Sequence, residues 1–264
     1  MARNLTDFSI DMFSLKGKVA MVTGANQGLG MAYAVALANV GADLFIPHYT
    51  PDVSEVKGMI EGAGRKVAFL QGDLTDETYR KEVVQSCLDT YGKIDILINN
   101  AGNNYVAPLL EVPDEKYRMV LDLQLNAVYY LSCAVAKTMV PNGGGKIINI
   151  ASELAYASDI NSSSYTVAKH GIVGLTRSLT AELGKFNISC NAIAPGFYIS
   201  EVNAEVRKAN PDAERTVGEK IPLGNGHWGD VYDLMGLAVF LASPASDYIS
   251  GEIICVDGGY KACM

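Results

Sequence analysis

Two stretches of the chain carry residues whose types and spacing suit chemistry. The first is Tyr165-Thr-Val-Ala-Lys169, where a phenol and an ammonium stand four residues apart, on one helix face and about a turn from each other. Free tyrosine, with a pKa of about 10, is a poor base at neutral pH, but a neighbouring ammonium favours the phenolate and lowers that value. Tyr165 becomes a candidate general acid and base. The second is Thr23-Gly24-Ala-Asn-Gln-Gly28-Leu-Gly30, set between a β-branched run and a helical pattern. A strand feeding directly into a helix leaves amide N–H groups free at the helix start, and missing side chains let a pyrophosphate approach the backbone. Glycines alone make only a tight turn; the strand before and the helix after make a nucleotide site. No Gly-Lys-Ser/Thr ending follows, which disfavours a nucleoside triphosphatase. Ser152 lacks the Gly-x-Ser-x-Gly frame of a hydrolase nucleophile and has only His48, His170 and His227 to serve as its base, so serine hydrolysis is disfavoured too.

The elements that must position these residues alternate. Short apolar runs predict strands at 19–23, 43–46, 67–70, 94–98, 146–150, 188–193 and 252–256, and helical patterns fall between them at 29–40, 53–61, 76–91, 114–139, 163–185 and 230–241. Continuous apolar runs in an alternating series imply strands covered on both faces, hence a parallel sheet. The predicted fold is α/β: one doubly wound, Rossmann-type domain over residues 1–264, with a seven-stranded parallel sheet flanked by helices. Residues 197–229 break the rhythm, being polar and helical only over 201–209. Their place after a strand's carboxyl end, where such sheets bind ligands, predicts a substrate-binding loop or lid.

Composition narrows the function classes. With 21 Lys+Arg against 29 Asp+Glu, the net charge is −8, which argues against nucleic acid as a partner. The five cysteines are scattered, odd in number and form no CxxC pair; neither a disulfide framework nor a metal site is expected, and a reduced cytoplasmic setting is. No signal-like or membrane-spanning apolar run is visible. Glycine, 26 of 264 residues, exceeds its usual share of about 7%, and the surplus fits a backbone shaped around a ligand.

The spacing Gly24-x-x-x-Gly28-x-Gly30 departs from the G-x-G-x-x-G fingerprint and resembles that of the short-chain dehydrogenase/reductase family. Further motifs fall in the family's order: Asn99-Asn-Ala-Gly102 after the fourth strand, Asn126 in the helix before the fifth, Ser152 after the fifth, Tyr165 and Lys169 thirteen and seventeen residues on, and Pro195-Gly196 closing the sixth. The resemblance runs from Leu15 to Gly259. It implies an oxidoreductase in which Tyr165 exchanges the proton of a substrate hydroxyl or carbonyl, Ser152 hydrogen-bonds the same oxygen, Lys169 holds the nicotinamide ribose and Asn126 supports a proton-relay water. Singly, each has an ordinary alternative, such as a surface pair, a helix cap or a satisfied carbonyl. Jointly, at this spacing, they do not.

The same resemblance implies a cofactor set of Gly24, Asn26, Gln27, Gly28, Leu29 and Gly30 in the first loop, His48 after the second strand, and Asp73 and Leu74 after the third. To these it adds Asn99, Ala101, Gly102, Tyr165, Lys169, Pro195, Gly196, Ile199 and Ser200. At His48 neither the carboxylate typical of NAD enzymes nor the cation typical of NADP enzymes is present. NAD is the expected cofactor, because no permanent cation awaits the 2′-phosphate, with NADP left open. Segments such as Phe13-Ser-Leu-Lys-Gly-Lys18 and His227-Trp-Gly229 resemble the family's sugar-acid branch, the gluconate and 2-dehydro-3-deoxy-gluconate 5-dehydrogenases. That implies a small-molecule substrate, a secondary alcohol or ketone on a sugar acid or related polyol, bordered by Glu153, Asn103, Asn104, Tyr198 and His227. The branch's arginine pair after Asn-Asn-Ala-Gly is missing, and Arg207, Lys208 or His227 are the cations left to meet a carboxylate. The resemblance also implies a homotetramer, with Tyr129 and Tyr130 as interface anchors or ordinary core.

Overall fold

Met21 and Val22 are adjacent in the chain and buried in different cores. Successive side chains of a strand point to opposite faces, so a strand that is apolar at every position must be covered twice. In the computed structural model, which describes residues 6, 8–200, 204–209, 211–223 and 227–263, this holds through the sheet's centre. Chain order runs β1 (Val19–Val22), α1 (Gly28–Asn39), β2 (Asp43–His48), α2 (Ser54–Gly62), β3 (Val67–Gln71), α3 (Glu77–Tyr91), β4 (Ile96–Asn99), α4 (Asp114–Leu121), α5 (Ala127–Met139) and β5 (Gly145–Ile150). It continues through α6 (Ser163–Leu183), β6 (Ile188–Pro195), β7 (Tyr198–Ile199), α7 (Ala204–Ala209), α8 (Pro211–Gly218), β8 (Gly229–Asp230), α9 (Met235–Ala242) and β9 (Ile253–Val256).

Seven strands form one parallel sheet in the order β3-β2-β1-β4-β5-β6-β9. One face carries α3, α5 and α6 through Val83, Leu131 and Ile172; the other carries α1, α2 and α9 through Leu37, Ile60 and Leu241. The order reverses between β1 and β4, and a doubly wound sheet binds ligands at the carboxyl ends of such a switch point. The expected single α/β domain is therefore the observed one.

Three elements depart from the expected pattern. The helix predicted over 114–139 is interrupted by a π-helical turn at Asp122–Asn126, and a π turn inserts a residue and rotates the side chains that follow. The predicted helix at 230–241 opens as a 3-10 turn, Val231–Leu234, with a capping box between Asp230 and Asp233. Among its described residues segment 197–229 carries two short helices, and its ends are clipped together by the parallel pair β7 and β8, Tyr198 opposite Gly229. Residues 201–203, where its helix was expected to begin, lie outside the described residues.

Among the described residues one helical stretch, Asp114–Asn142, is long and apolar enough to cross a membrane, with a mean hydropathy of 1.3 over an 18-residue window. Its apolar side, with Val120, Val128, Leu131 and Val135, is buried, the α5 part against the sheet and the α4 part beside α6. It is a layer helix of this domain.

Candidate active site

Gly30 begins the site, because a Cβ there would collide with the Asn100 side chain and the Gly24 carbonyl. Asn100 Nδ2 donates to the carbonyls of Thr23 at 3.0 Å and Gly24 at 3.2 Å, tying the glycine loop to the end of β4. Gly28 adopts φ 57°, which a side chain would strain. Gln27, the N-cap of α1, makes no capping hydrogen bond, so the first amides of the helix remain for an anion. These features fit a dinucleotide pyrophosphate.

Around that loop a cavity of about 1020 Å³ opens at the carboxyl ends of the strands. It is lined by Gly24, Asn26, Gln27, Gly28, Leu29 and Gly30 from the loop, His48 from β2, Asp73 and Leu74 after β3, and Ala101, Gly102, Asn103 and Asn104 after β4. Ser152, Glu153, Tyr165, Lys169, Pro195, Gly196, Tyr198 and Ser200 line it as well. Residues far apart in sequence thus share one chamber. Asp73 does not cap α3, a task taken by Asp76, whose carboxylate accepts from the Thr78 amide; Asp73 Oδ1 instead accepts from the Thr75 amide and hydroxyl, both at 2.8 Å. His48 is buried, its Nδ1 lying 2.7 Å from the Thr50 carbonyl and its ring edge-on to Phe69.

Lys169 Nζ donates to the Ile150 carbonyl at 2.6 Å and sits 5.3 Å from the centre of the Tyr165 ring. Ser152 Oγ donates to Glu153 Oε2 at 3.0 Å and accepts from the Leu154 amide at 3.2 Å. The electrostatics differ from the sequence expectation. Burial pushes the Tyr165 phenol upward, the Glu153 carboxylate adds to the rise, and contact with Ser152 opposes it. Burial brings Lys169 down to about 7, with Glu153 opposing, so an ammonium lowering the phenol is not the dominant influence. Desolvation pushes Glu153 up to about 7, its hydrogen bonds opposing. A tyrosine that holds its proton is a ready general acid toward a ketone oxygen.

Four expected residues stand elsewhere. Asn126 is exposed and donates to Asp122 Oδ1 at 2.8 Å; the cavity is lined instead by Gln124, 4% exposed, whose Nε2 donates to the Asn103 carbonyl and whose amide packs against Gly102. Gln124 falls on the buried stripe with Val120, Ala127, Val128 and Leu131, whereas Asn126 falls with exposed Tyr129 and Tyr130. Asn99 points into the core, donating to Ser132 Oγ at 3.0 Å and Asn149 Oδ1 at 2.9 Å. Ile199 is 40% exposed on β7 and outside the lining. His227 faces a second, smaller cavity beside Asp233 and Trp228.

Asn100, Arg207 and Trp228 also line the cavity. Arg207 Nε donates to Glu214 Oε2 at 3.0 Å, and its guanidinium carbon lies 6.0 Å from the Trp228 ring centre. Lys208 is exposed and outside the lining.

A glycine-lined anion cradle at the switch point, opening onto buried Ser152 and Lys169 with half-buried Tyr165 beside them, defines a nicotinamide-dependent oxidoreductase. A family model described as "Enoyl-(Acyl carrier protein) reductase" matches residues 24–261. The chain is 44% identical to the uncharacterized oxidoreductase YgcW of Escherichia coli (strain K12) over 97% of each chain. It is 40% identical to the 2-dehydro-3-deoxy-D-gluconate 5-dehydrogenase of Dickeya dadantii (strain 3937), over 96% of this chain and 99% of that one. A crystal structure of a gluconate 5-dehydrogenase from Burkholderia cenocepacia J2315, in complex with NADP and tartrate, superposes with a TM-score of 0.90 at 29% identity, covering 96% of this chain and 99% of that chain. The chain belongs to the short-chain dehydrogenase/reductase family. It is an NAD(P)-dependent oxidoreductase acting on CH–OH groups. The bound dinucleotide supplies the hydride acceptor or donor, and the protein supplies orientation and proton handling.

Proposed function

We propose that this enzyme interconverts a secondary alcohol and a ketone on a sugar acid or related polyol. The observation that carries the substrate class is Arg207, a guanidinium on the cavity wall, braced by Glu214 and backed by Trp228. A braced guanidinium is suited to a carboxylate. The names of the Dickeya and Burkholderia relatives agree with it.

In this reading Tyr165 exchanges the proton of the reacting oxygen, Ser152 hydrogen-bonds that oxygen, and Lys169 holds the nicotinamide ribose. Gly24, Asn26, Gln27, Gly28, Leu29 and Gly30 hold the pyrophosphate and its surroundings, with Asp73 and Leu74 at the adenine. Asn103, Asn104, Glu153 and Tyr198 border the substrate, and segment 197–229 forms its lid. NAD is the preferred dinucleotide, since the lining at the end of β2 is Pro47, His48, Tyr49 and Thr50, without a permanent cation. The enzyme works as a homotetramer in the cytoplasm. Exposed Tyr129 and Tyr130 on α5 and unpaired cysteines support this part of the reading.

The test is a panel of keto-sugar acids, neutral keto-sugars and hydrophobic ketones, each with NADH and NADPH. Highest kcat/KM on a keto-sugar acid is expected. A preference for hydrophobic ketones overturns the substrate class, and a strong preference for NADPH overturns the choice of NAD.

A further inference from the structure

Ser152 spends its proton on a neighbour. A serine hydroxyl has one donor and two acceptor positions, and here the donor goes to Glu153 Oε2 at 3.0 Å while one acceptor position takes the Leu154 amide at 3.2 Å. Ser152 is 5% exposed and Glu153 6% exposed, so little of that bond faces water. What remains on Ser152 is a lone pair. That lone pair can accept from a substrate alcohol, but it cannot donate to a substrate ketone.

We propose that Glu153 is a positioning residue that sets which way the Ser152 hydroxyl points its proton, so that its protonation state favours alcohol oxidation or ketone reduction. With Glu153 ionised, the carboxylate accepts from Ser152, and Ser152 accepts from the substrate hydroxyl whose proton leaves for Tyr165. With Glu153 protonated, its own O–H donates to Ser152 Oγ, and the serine proton turns to the ketone oxygen beside the Tyr165 hydroxyl. Glu153 exchanges one proton with solvent and makes or breaks no bond to substrate carbon. The inference rests on the oxidoreductase reading of this site, and not on the identity of the substrate.

The surroundings allow Glu153 to change state at ordinary pH. Facing it are Tyr165 and Lys169 of α6, Asp159 ahead of that helix, Tyr198 of β7, Cys255 of β9, and Asp257 and Tyr260 beyond it. Lys169 is the one cation in that set, and Asp159 and Asp257 both oppose ionisation of Glu153. Desolvation is the largest influence and brings the carboxyl to about 7.

Two measurements test the proposal, the first needing no substrate. An infrared pH titration of the wild type minus Glu153→Gln isolates the carbonyl stretch of one protonated carboxyl. It is expected to ionise near neutral pH, and in Ser152→Ala to ionise at higher pH, because the lost hydrogen bond had favoured the charged form. Ionisation in the usual carboxylate range, or no response to Ser152→Ala, overturns the proposal.

The second is a pair of rate profiles, with 5-keto-D-gluconate and with the neutral diketone 2,3-butanedione. Wild-type kcat/KM for reduction is expected to fall about tenfold per pH unit above neutrality, and Glu153→Gln, whose amide can donate to Ser152, is expected to lose that limb while oxidation slows. A limb that survives in Glu153→Gln, merely moved to lower pH, belongs to Lys169 and overturns the proposal. If the profile holds on the diketone while the keto-sugar acid is not turned over, the sugar-acid reading fails and this inference stands. If neither ketone is turned over, the infrared titration decides.

Discussion

The Lys169 ammonium nitrogen is held between the Ile150 carbonyl, 2.6 Å away, and the Tyr165 ring, whose centre is 5.3 Å away. One helical turn of α6 therefore fixes both groups against the end of β5, and Ser152, two residues past that strand, meets them there. Replacing Tyr165 by Phe removes the proton donor and keeps the ring. Activity is expected to fall by about 10²–10⁴, with dinucleotide affinity, followed by nicotinamide fluorescence, unchanged. Retained turnover would remove Tyr165 from its role.

Gln124 and Asn126 are two residues apart and answer to opposite sides of their helix. Gln124→Leu leaves the Asn103 carbonyl without its donor, and a lost buried hydrogen bond costs about 1–3 kcal/mol. A drop in kcat/KM of about ten- to a hundredfold is expected. Asn126→Ala, at an exposed site, should stay within about twofold; equal losses in steady-state assays of the two variants would contradict this assignment.

Glu153 also makes stability depend on pH. Its folded-state value, about 7, lies above the ordinary 4.5, so between these values the native state holds more protons than the unfolded chain, and stability contributed by this group is lost as pH rises through that window. Glu153→Gln removes the loss. Relative to wild type, the variant should gain up to about 3 kcal/mol on going from pH 4 to pH 8, most of it before neutrality. Urea melts at several pH values measure the difference, and a constant difference would refute it.

Arg207 should matter to charge and not to chemistry. Arg207→Ala is expected to raise KM for a keto-sugar acid about ten- to a hundredfold, in line with a charge-assisted pair, and to leave KM for a neutral keto-sugar unaltered. Parallel KM measurements separate the two, and equal increases would make Arg207 a structural brace for α8 through Glu214.

Tyr129 and Tyr130 pack edge to face at 5.3 Å and are 49% and 54% exposed, so neither is core. Under the tetramer reading, Tyr129→Glu with Tyr130→Glu buries charge in an interface. Light scattering should show smaller particles for the pair of substitutions than for wild type. Equal masses would remove these tyrosines from the contact.

Much of the site was visible along the chain because its signals are local. Tyr165 and Lys169 share a turn, Gly24 to Gly30 lie in one loop, and period-two and period-3.6 patterns mark the strands and helices. The residues that stand away from the cavity are those whose placement depends on the direction a side chain takes in the packed molecule. Asn99 sits beside Asn100 in sequence, yet strand alternation sends the first under the sheet and leaves the second at the cavity. His227 and Trp228 are likewise neighbours, and only Trp228 borders the larger chamber.

By itself the sequence determined the seven-stranded doubly wound architecture and put the glycine loop, Ser152, Tyr165 and Lys169 forward as the candidate site, since each is written in short-range spacing and in which residues are apolar. Tertiary structure decided that Gln124 and not Asn126 borders the cavity, that Arg207 is the arginine facing it among the described residues, and that burial is the largest influence on the Tyr165 phenol. Those outcomes turn on helix rotation, on contacts between distant segments and on desolvation, none of which exists until the layers have closed on the sheet.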